Sequence, residues 1–185
     1  MSSGTVNNAL YRTRITIGAS RFKQVLWYLV NILLFKNPLN IFLSLKVFLL
    51  KAFGAEVGNG VVIKPSVNIK YPWKLKIGEH SWIGEGVWID NLAEVVIGNN
   101  VCISQGALLL CGNHNYKKET FDLMLGNIVL EEGVWIGAKA IVCAGVICAT
   151  HSVLSVGSVV TKNTVAFGIY QGNPAQKIGE RIITT

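Results

Sequence analysis

LEEGVWIGAKAIVCAGVICATHSVLSVGSVVTK, Leu130 to Lys162, carries an aliphatic or small apolar residue at every sixth position: Leu130, Ile136, Val142, Cys148, Leu154 and Val160. Four positions after the first five of these comes a second small or branched residue: Val134, Ala140, Val146, Ser152 and Ser158. A period of six fits neither the 3.6-residue turn of a helix nor the two-residue alternation of a long strand. It fits a solenoid of short strands joined by tight corners, in which each side chain stacks on its counterpart one coil away. Three hexapeptides close a triangular coil of 18 residues, which sets Leu130 under Cys148, Ile136 under Leu154 and Val142 under Val160.

Upstream the same beat runs through Val57, Ile63, Ile69, Ile77, Ile83, Ile89, Ile97, Ile103 and Leu109. Here the coil is 20 residues long, because two residues are added after every third hexapeptide, from Ile69 to Ile77 and from Ile89 to Ile97. The longest gap, Leu109 to Leu130, also follows a third hexapeptide, so all three insertions leave the solenoid at one corner. Insertions in a stacked architecture collect on one face, often the working one. Each buried beat residue contributes about 1.5–3 kcal/mol of apolar burial, so fifteen of them make a stable core. The spacing predicts three parts: a helical arm over 1–55, the solenoid over 56–170 with a loop at 110–129, and a tail over 171–185.

The charge is concentrated in the arm. Residues 1–55 hold Arg12, Arg14, Arg21, Lys23, Lys36, Lys46 and Lys51 and no acid, while the rest of the chain balances ten basic against ten acidic residues. The formal charge of +7 therefore belongs to the arm. Two apolar runs, 25–35 and 39–50, are split by Asn37-Pro38, and neither reaches the roughly 18–20 residues that span a bilayer. No small-residue cleavage site follows the first run, which argues against a secretory signal. Short apolar helices with only basic charges suit attachment to an anionic membrane surface. They equally suit a cap on the open end of the solenoid, and one arm can do both. Because the beat starts at Val57, a chain lacking residues 1–52 is expected to stay active unless the arm is that cap. Nucleic-acid binding is disfavoured, since the cations are interleaved with bulky apolar residues and no nucleic-acid module is present. The four cysteines form no CxxC pair and read as reduced cytosolic residues, and neither a structural zinc nor any other metal is expected.

Several segments extend the reading: KYPWKLKIG (Lys70 to Gly78), CGNHNY (Cys111 to Tyr116), EEGVWIGAKA (Glu131 to Ala140), GSVVTK (Gly157 to Lys162) and GNPAQKIGER (Gly172 to Arg181). Together and in this order they resemble the hexapeptide-repeat acyltransferases, and among them the colanic-acid type of polysaccharide O-acetyltransferase. The resemblance covers most of the chain, the arm included. It implies a mainly β fold, the left-handed parallel β-helix, assembled as a homotrimer. It also implies a cytoplasmic enzyme, possible at the inner-membrane surface, that moves an acetyl group from acetyl-CoA to a sugar or glycan hydroxyl with no permanently bound cofactor.

Transfer to a hydroxyl needs a base for its proton, and imidazole titrates in the right range. The resemblance gives that role to the histidine of CGNHNY, here His114, in the only long insertion. His80 and His151 lie inside the hexapeptide rhythm and read as structural. Relatives often carry Asp directly after the catalytic histidine, whereas this chain has Asn115. An acceptor-side Asn of galactoside-type relatives falls on Gly84. Asp90 and Asn91, in the insertion corner, are candidate substitutes or ordinary corner residues. For the donor, the resemblance places pantetheine near Ala138 and Val156, and phosphates near Thr161 and Lys162. Lys177 and Arg181 are further phosphate candidates, or plain surface cations. Trp135 lines the acceptor pocket or is an exposed rung of the stack. A small antibiotic or amine as acceptor, or a non-catalytic scaffold, are the competing readings. A γ-type carbonic anhydrase is disfavoured, because His80, His114 and His151 lack its close-spaced metal-binding pair.

Overall fold

Each hexapeptide becomes a strand of two or three residues followed by a corner. The computed structural model describes residues 4–11, 15–40 and 42–184, and Arg12 and Arg14 of the basic arm lie outside them. Three parallel faces result. The first stacks Glu56–Val57, Leu75–Ile77, Val95–Ile97, Ile128–Leu130 and Ile147–Cys148. The second stacks Val62–Ile63, Trp82–Ile83, Cys102–Ile103, Trp135–Ile136 and Val153–Leu154, and the third runs from Asn68–Ile69 to Val159–Val160. The expected registers hold: Val57 beside Ile77, Ile97 beside Leu130, Leu130 beside Cys148, Ile136 beside Leu154 and Val142 beside Val160. All fifteen beat residues are buried. Five coils are complete, and a sixth begins where Thr164 donates its N–H to the Ile147 carbonyl and Tyr170 pairs with Leu154.

The glycine that follows the beat has a steric cause. A Cβ on Gly84 would lie 2.7 Å from the Ile103 carbonyl oxygen, and one on Gly137 would lie 2.6 Å from that of Leu154. The backbones of successive coils meet there, leaving no room for a side chain. His80 and His151 occupy corners of the coils with positive φ.

The arm closes the first coil. Helix α1 (Arg21–Val30) continues into a π-helical turn, Asn31–Phe35, and helix α2 spans Leu43–Ala52. Ser20 starts α1 by accepting the Lys23 N–H, and an Asx turn at Asn37 carries the chain past Pro38. Trp27, Asn31 and Phe35, four residues apart, form the inward stripe and are buried. The first coil has no preceding coil to pair with, and the arm supplies the missing partners. The Trp27 Nε1–H donates to the Ile69 carbonyl at 2.9 Å, the Ile69 N–H donates to Asn31 Oδ1, and Lys46 Nζ donates to the Lys64 carbonyl at 2.9 Å. A bare strand edge is thus covered. The cap reading is realised by these contacts, which removes the expectation that a chain without residues 1–52 keeps its activity.

Two expectations of irregular structure are corrected. The insertion over 110–129 contains a β-hairpin, Gly112–His114 against Leu123–Leu125. The expected boundary at 170/171 falls inside another, Gly168–Gly172 against Ala175–Glu180, which extends the second face.

Candidate active site

The insertion corner presents His114. Strand Leu108–Leu110 leaves the third face, and the hairpin is pinned at its base where the Cys111 N–H donates to the Asp90 carbonyl and the Gly126 N–H to the Cys111 carbonyl. At its far end Asn115 donates its N–H to the Asp122 carbonyl and accepts the Lys117 N–H on Oδ1. Asn115 therefore shapes the turn and does not orient the imidazole. That task falls to Phe121. Its carbonyl oxygen lies 2.9 Å from His114 Nδ1, and its ring stacks on the imidazole at 4.4 Å with the planes 7° apart. A carbonyl only accepts, so Nδ1 carries the hydrogen and Nε2 is left as the acceptor. Tyr11 flanks the same imidazole, with ring centroids 5.8 Å apart. Neither aromatic was singled out from the sequence, because both lie outside the hexapeptide rhythm.

Asp90 and Asn91 belong to the corner below. Asn91 is fully buried, accepting the Tyr71 N–H and donating to the Tyr71 carbonyl, so its amide ties two coils together. Asp90 pairs with Lys70 at 2.8 Å. This pair borders a cleft of about 430 Å³ between α1 and the third face, walled by Trp27, Tyr28, Lys36 and Trp88.

A separate groove follows the corner between the second and third faces. Trp135, Ala138 and Val156 line a cavity of about 360 Å³ together with Ser104 and Gln105. Ser104 and Gln105 also line its neighbour of about 460 Å³, with Trp82, Gly84 and Glu85. The Trp135 indole N–H donates to Ser104 Oγ at 3.0 Å, which fixes the ring along the groove. Gly84 contributes only backbone here, for the steric reason given above.

The candidate residues thus fall into separate groups within one chain. Ala138, Val156 and Trp135 share the groove. His114 and the exposed pair Thr161 and Lys162 follow third-face strands, at the insertion corner. Lys177 is paired with Glu180 at 2.9 Å. Arg181 donates to the carbonyls of Gly133 and His151, at the corner between the first and second faces. Neither Lys177 nor Arg181 joins the groove of Ala138 and Val156 in the same chain. Burial pushes the Cys111 thiol up to about 11 and the Cys148 thiol up to about 12, so both stay protonated at neutral pH. Among the described residues, no three His, Cys, Asp or Glu side chains converge as a metal site.

No family model matches the chain. Among known sequences it is 36% identical over 167 residues to the Escherichia coli K12 protein named "Putative colanic acid biosynthesis acetyltransferase WcaF", covering 90% of this chain and 92% of that one. It is 29% identical over 140 residues to the galactoside O-acetyltransferase of the same organism, covering 71% and 66%. Among solved structures, the hexapeptide-repeat containing acetyltransferase VCA0836 of Vibrio cholerae matches with a TM-score of 0.78 at 18% identity, covering 88% of this chain and 94% of that one. A galactoside acetyltransferase in complex with coenzyme A matches with a TM-score of 0.75 at 22% identity, covering 86% and 80%. At these identities the structural likeness speaks for the fold.

Proposed function

We propose, for a chain that belongs to the hexapeptide-repeat acetyltransferases, an acetyl-CoA-dependent O-acetyltransferase. Its acceptor is a sugar hydroxyl of a bacterial exopolysaccharide or surface glycan, and it works in the cytoplasm at the inner-membrane surface. The observation that carries this reading is the presentation of His114: Nδ1 bonded to the Phe121 carbonyl, Nε2 left to accept a proton, on a hairpin standing out from the insertion corner. In the reaction Nε2 takes the hydroxyl proton as the oxygen attacks the thioester carbonyl. The tetrahedral intermediate then collapses, the carbon–sulfur bond breaks, and the imidazolium returns the proton to the departing thiolate. Backbone N–H groups hold the oxyanion.

The donor lies in the groove of Trp135, Ala138 and Val156 of one subunit, with its phosphates toward Thr161 and Lys162 at the insertion corner of the next. Within one chain the groove and His114 follow different faces, which supports a homotrimer in which the hairpin of one subunit covers the groove of the next. Asp90, whose carbonyl accepts the Cys111 N–H at the hairpin base, is the better acceptor contact of the insertion pair, since the Asn91 amide is already bonded to Tyr71. The test is thiol release from acetyl-CoA by the purified protein, with saccharides, amines or neither, and mass spectrometry of the acceptor. Release that requires a saccharide, with an acetyl increment on it, is the expected result. Release only with amines transfers the assignment to a small-molecule acetyltransferase, and none with any acceptor leaves a scaffold.

A further inference from the structure

The cap has two faces, and only the inward one is accounted for by closing the solenoid. On α1 and its π-helical extension, Phe22, Leu26, Leu29 and Leu33 recur at helical spacing opposite the buried stripe of Trp27, Asn31 and Phe35, and all four are exposed. On α2 the buried positions are Lys46 and Leu50, while Leu45 and Phe48 face out. Between the helices Leu39 and Phe42 are 84% and 67% exposed. Arg21, Lys36 and Lys51 lie exposed among these residues, and no acid precedes Glu56. A contiguous apolar surface rimmed by one sign of charge marks an interaction site.

We propose that this outward face is a docking surface for an anionic lipid bilayer, seated at the headgroup boundary. The proposal deepens the inner-membrane location above and does not depend on which sugar is acetylated. Charge complementarity selects the occupant. A second copy of the same face would set Arg21, Lys36 and Lys51 against their own counterparts, whereas anionic headgroups neutralise them as the apolar side chains enter the acyl boundary. No helix among the described residues is long and apolar enough to cross a membrane, so the helices lie along the surface.

The docking also orients the molecule. α2 lies over Glu56–Val57 and Val62–Ile63, and the π-helical turn lies over Asn68–Ile69, so these two cover the end of the stack, while α1 flanks the cleft beside the third face. The coils then pile away from the membrane, with the solenoid axis along the bilayer normal. In the homotrimer, a three-fold axis parallel to the coils sets three caps on one bilayer, and their binding is multiplied by avidity. The cleft of Tyr28, Lys36, Trp88 and the Lys70–Asp90 pair, bordered by the cap itself, opens beside the lipid headgroups.

The experiment is sedimentation of the full chain with vesicles of phosphatidylcholine alone or with phosphatidylglycerol added, alongside hydrogen exchange. Binding to the mixed vesicles is expected, with weaker binding to phosphatidylcholine. Joint replacement of the exposed Phe22, Leu29 and Leu33 by Ser should lower the affinity at least about tenfold, with thermal unfolding unchanged. Arg21→Glu with Lys51→Glu should weaken binding to the mixed vesicles only. Lipid should slow exchange in peptides from 21–53 and leave those from 168–180 untouched. A parent chain that stays in the supernatant with both vesicles, or a triple variant that binds as well as the parent, overturns the proposal. Slowing confined to 168–180 overturns the orientation. Acetyl transfer to a soluble saccharide, measured on the same samples, separates failure of docking from failure of the enzymatic reading.

Discussion

The two ends of the solenoid face the same physical problem and solve it with different materials. Each ends in a coil with an unpaired edge and an uncovered core. At the first end helices supply side-chain partners, Trp27 and Asn31 to the Ile69 backbone and Lys46 to the Lys64 carbonyl. At the other end the chain folds back on itself. The hairpin Gly168–Gly172 and Ala175–Glu180 adds backbone partners, and the Tyr170 hydroxyl accepts the Val165 N–H at 2.9 Å. The outsides differ more than the insides. This end exposes Gln171, Gln176, Lys177 and Glu180, with charges of both signs, alongside the apolar Phe167, Ile178, Ile182 and Ile183. The helical cap exposes Phe22, Leu29, Leu33, Leu39, Phe42 and Phe48 with cations alone. Both ends leave apolar side chains outside, but only the first surrounds them with cations alone, and that one-sided charge needs a separate cause.

The largest expected effect lies between the ends. His114→Ala should lower turnover about 10²–10⁴-fold, the range for loss of a general base, while thermal unfolding stays within a degree or two. Steady-state kinetics on the purified variant checks this, and near-parental turnover removes His114 from the chemistry. A matched pair of changes compares the ends themselves. Trp27→Ala empties a buried site and costs about 3–5 kcal/mol, a fall in Tm of about 6–20 °C. Tyr170→Phe removes one hydrogen bond and costs about 0.5–1.5 kcal/mol, a fall of about 1–6 °C. Equal falls would mean that the helical cap contributes no more packing than the hairpin does.

A smaller effect is expected from Lys162→Ala, which should raise the KM for acetyl-CoA several-fold and leave the acceptor KM in place, since it removes one charge-assisted phosphate contact. Movement of the acceptor KM alone would put the donor on another edge. The smallest is a pH slope. Burial holds the Lys46 ammonium below its ordinary value of 10.5. Between that lowered value and 10.5 the unfolded chain binds more protons than the folded one, so this lysine adds stability as pH rises through the window. Lys46→Met lacks the gain. The Tm difference between parent and variant should shift toward the parent as pH rises toward 10.5.

Most of the solenoid was legible because its causes are local and repeat. Ile83 packs on Ile103 for the same reason that Ile136 packs on Leu154, so a periodic signal fixes the register of every coil. The insertion corner and the helical runs were visible as interruptions of that period. What stayed hidden depends on single long-range contacts. Asn31 meets Ile69 across 38 residues, and Arg181 meets Gly133 across 48. Neither pair leaves a pattern in the sequence. The candidate site was half legible for the same reason. His114 stood out by type and position, whereas Trp135, Ala138 and Val156 were implied by the family resemblance of their segments. Phe121, which orients the imidazole, became visible only once the insertion was seen to fold back as a hairpin.

The carbonyl behind His114 has a consequence for the proposed chemistry. An acidic partner would fix the ring and also reward it for staying charged, so that a captured proton would be held by a full negative charge. The Phe121 oxygen aligns the ring through the same nitrogen but brings only a neutral dipole. In the proposed reaction the imidazole takes the proton of the sugar hydroxyl and returns it as sulfur departs, aligned throughout by an oxygen that carries no full charge.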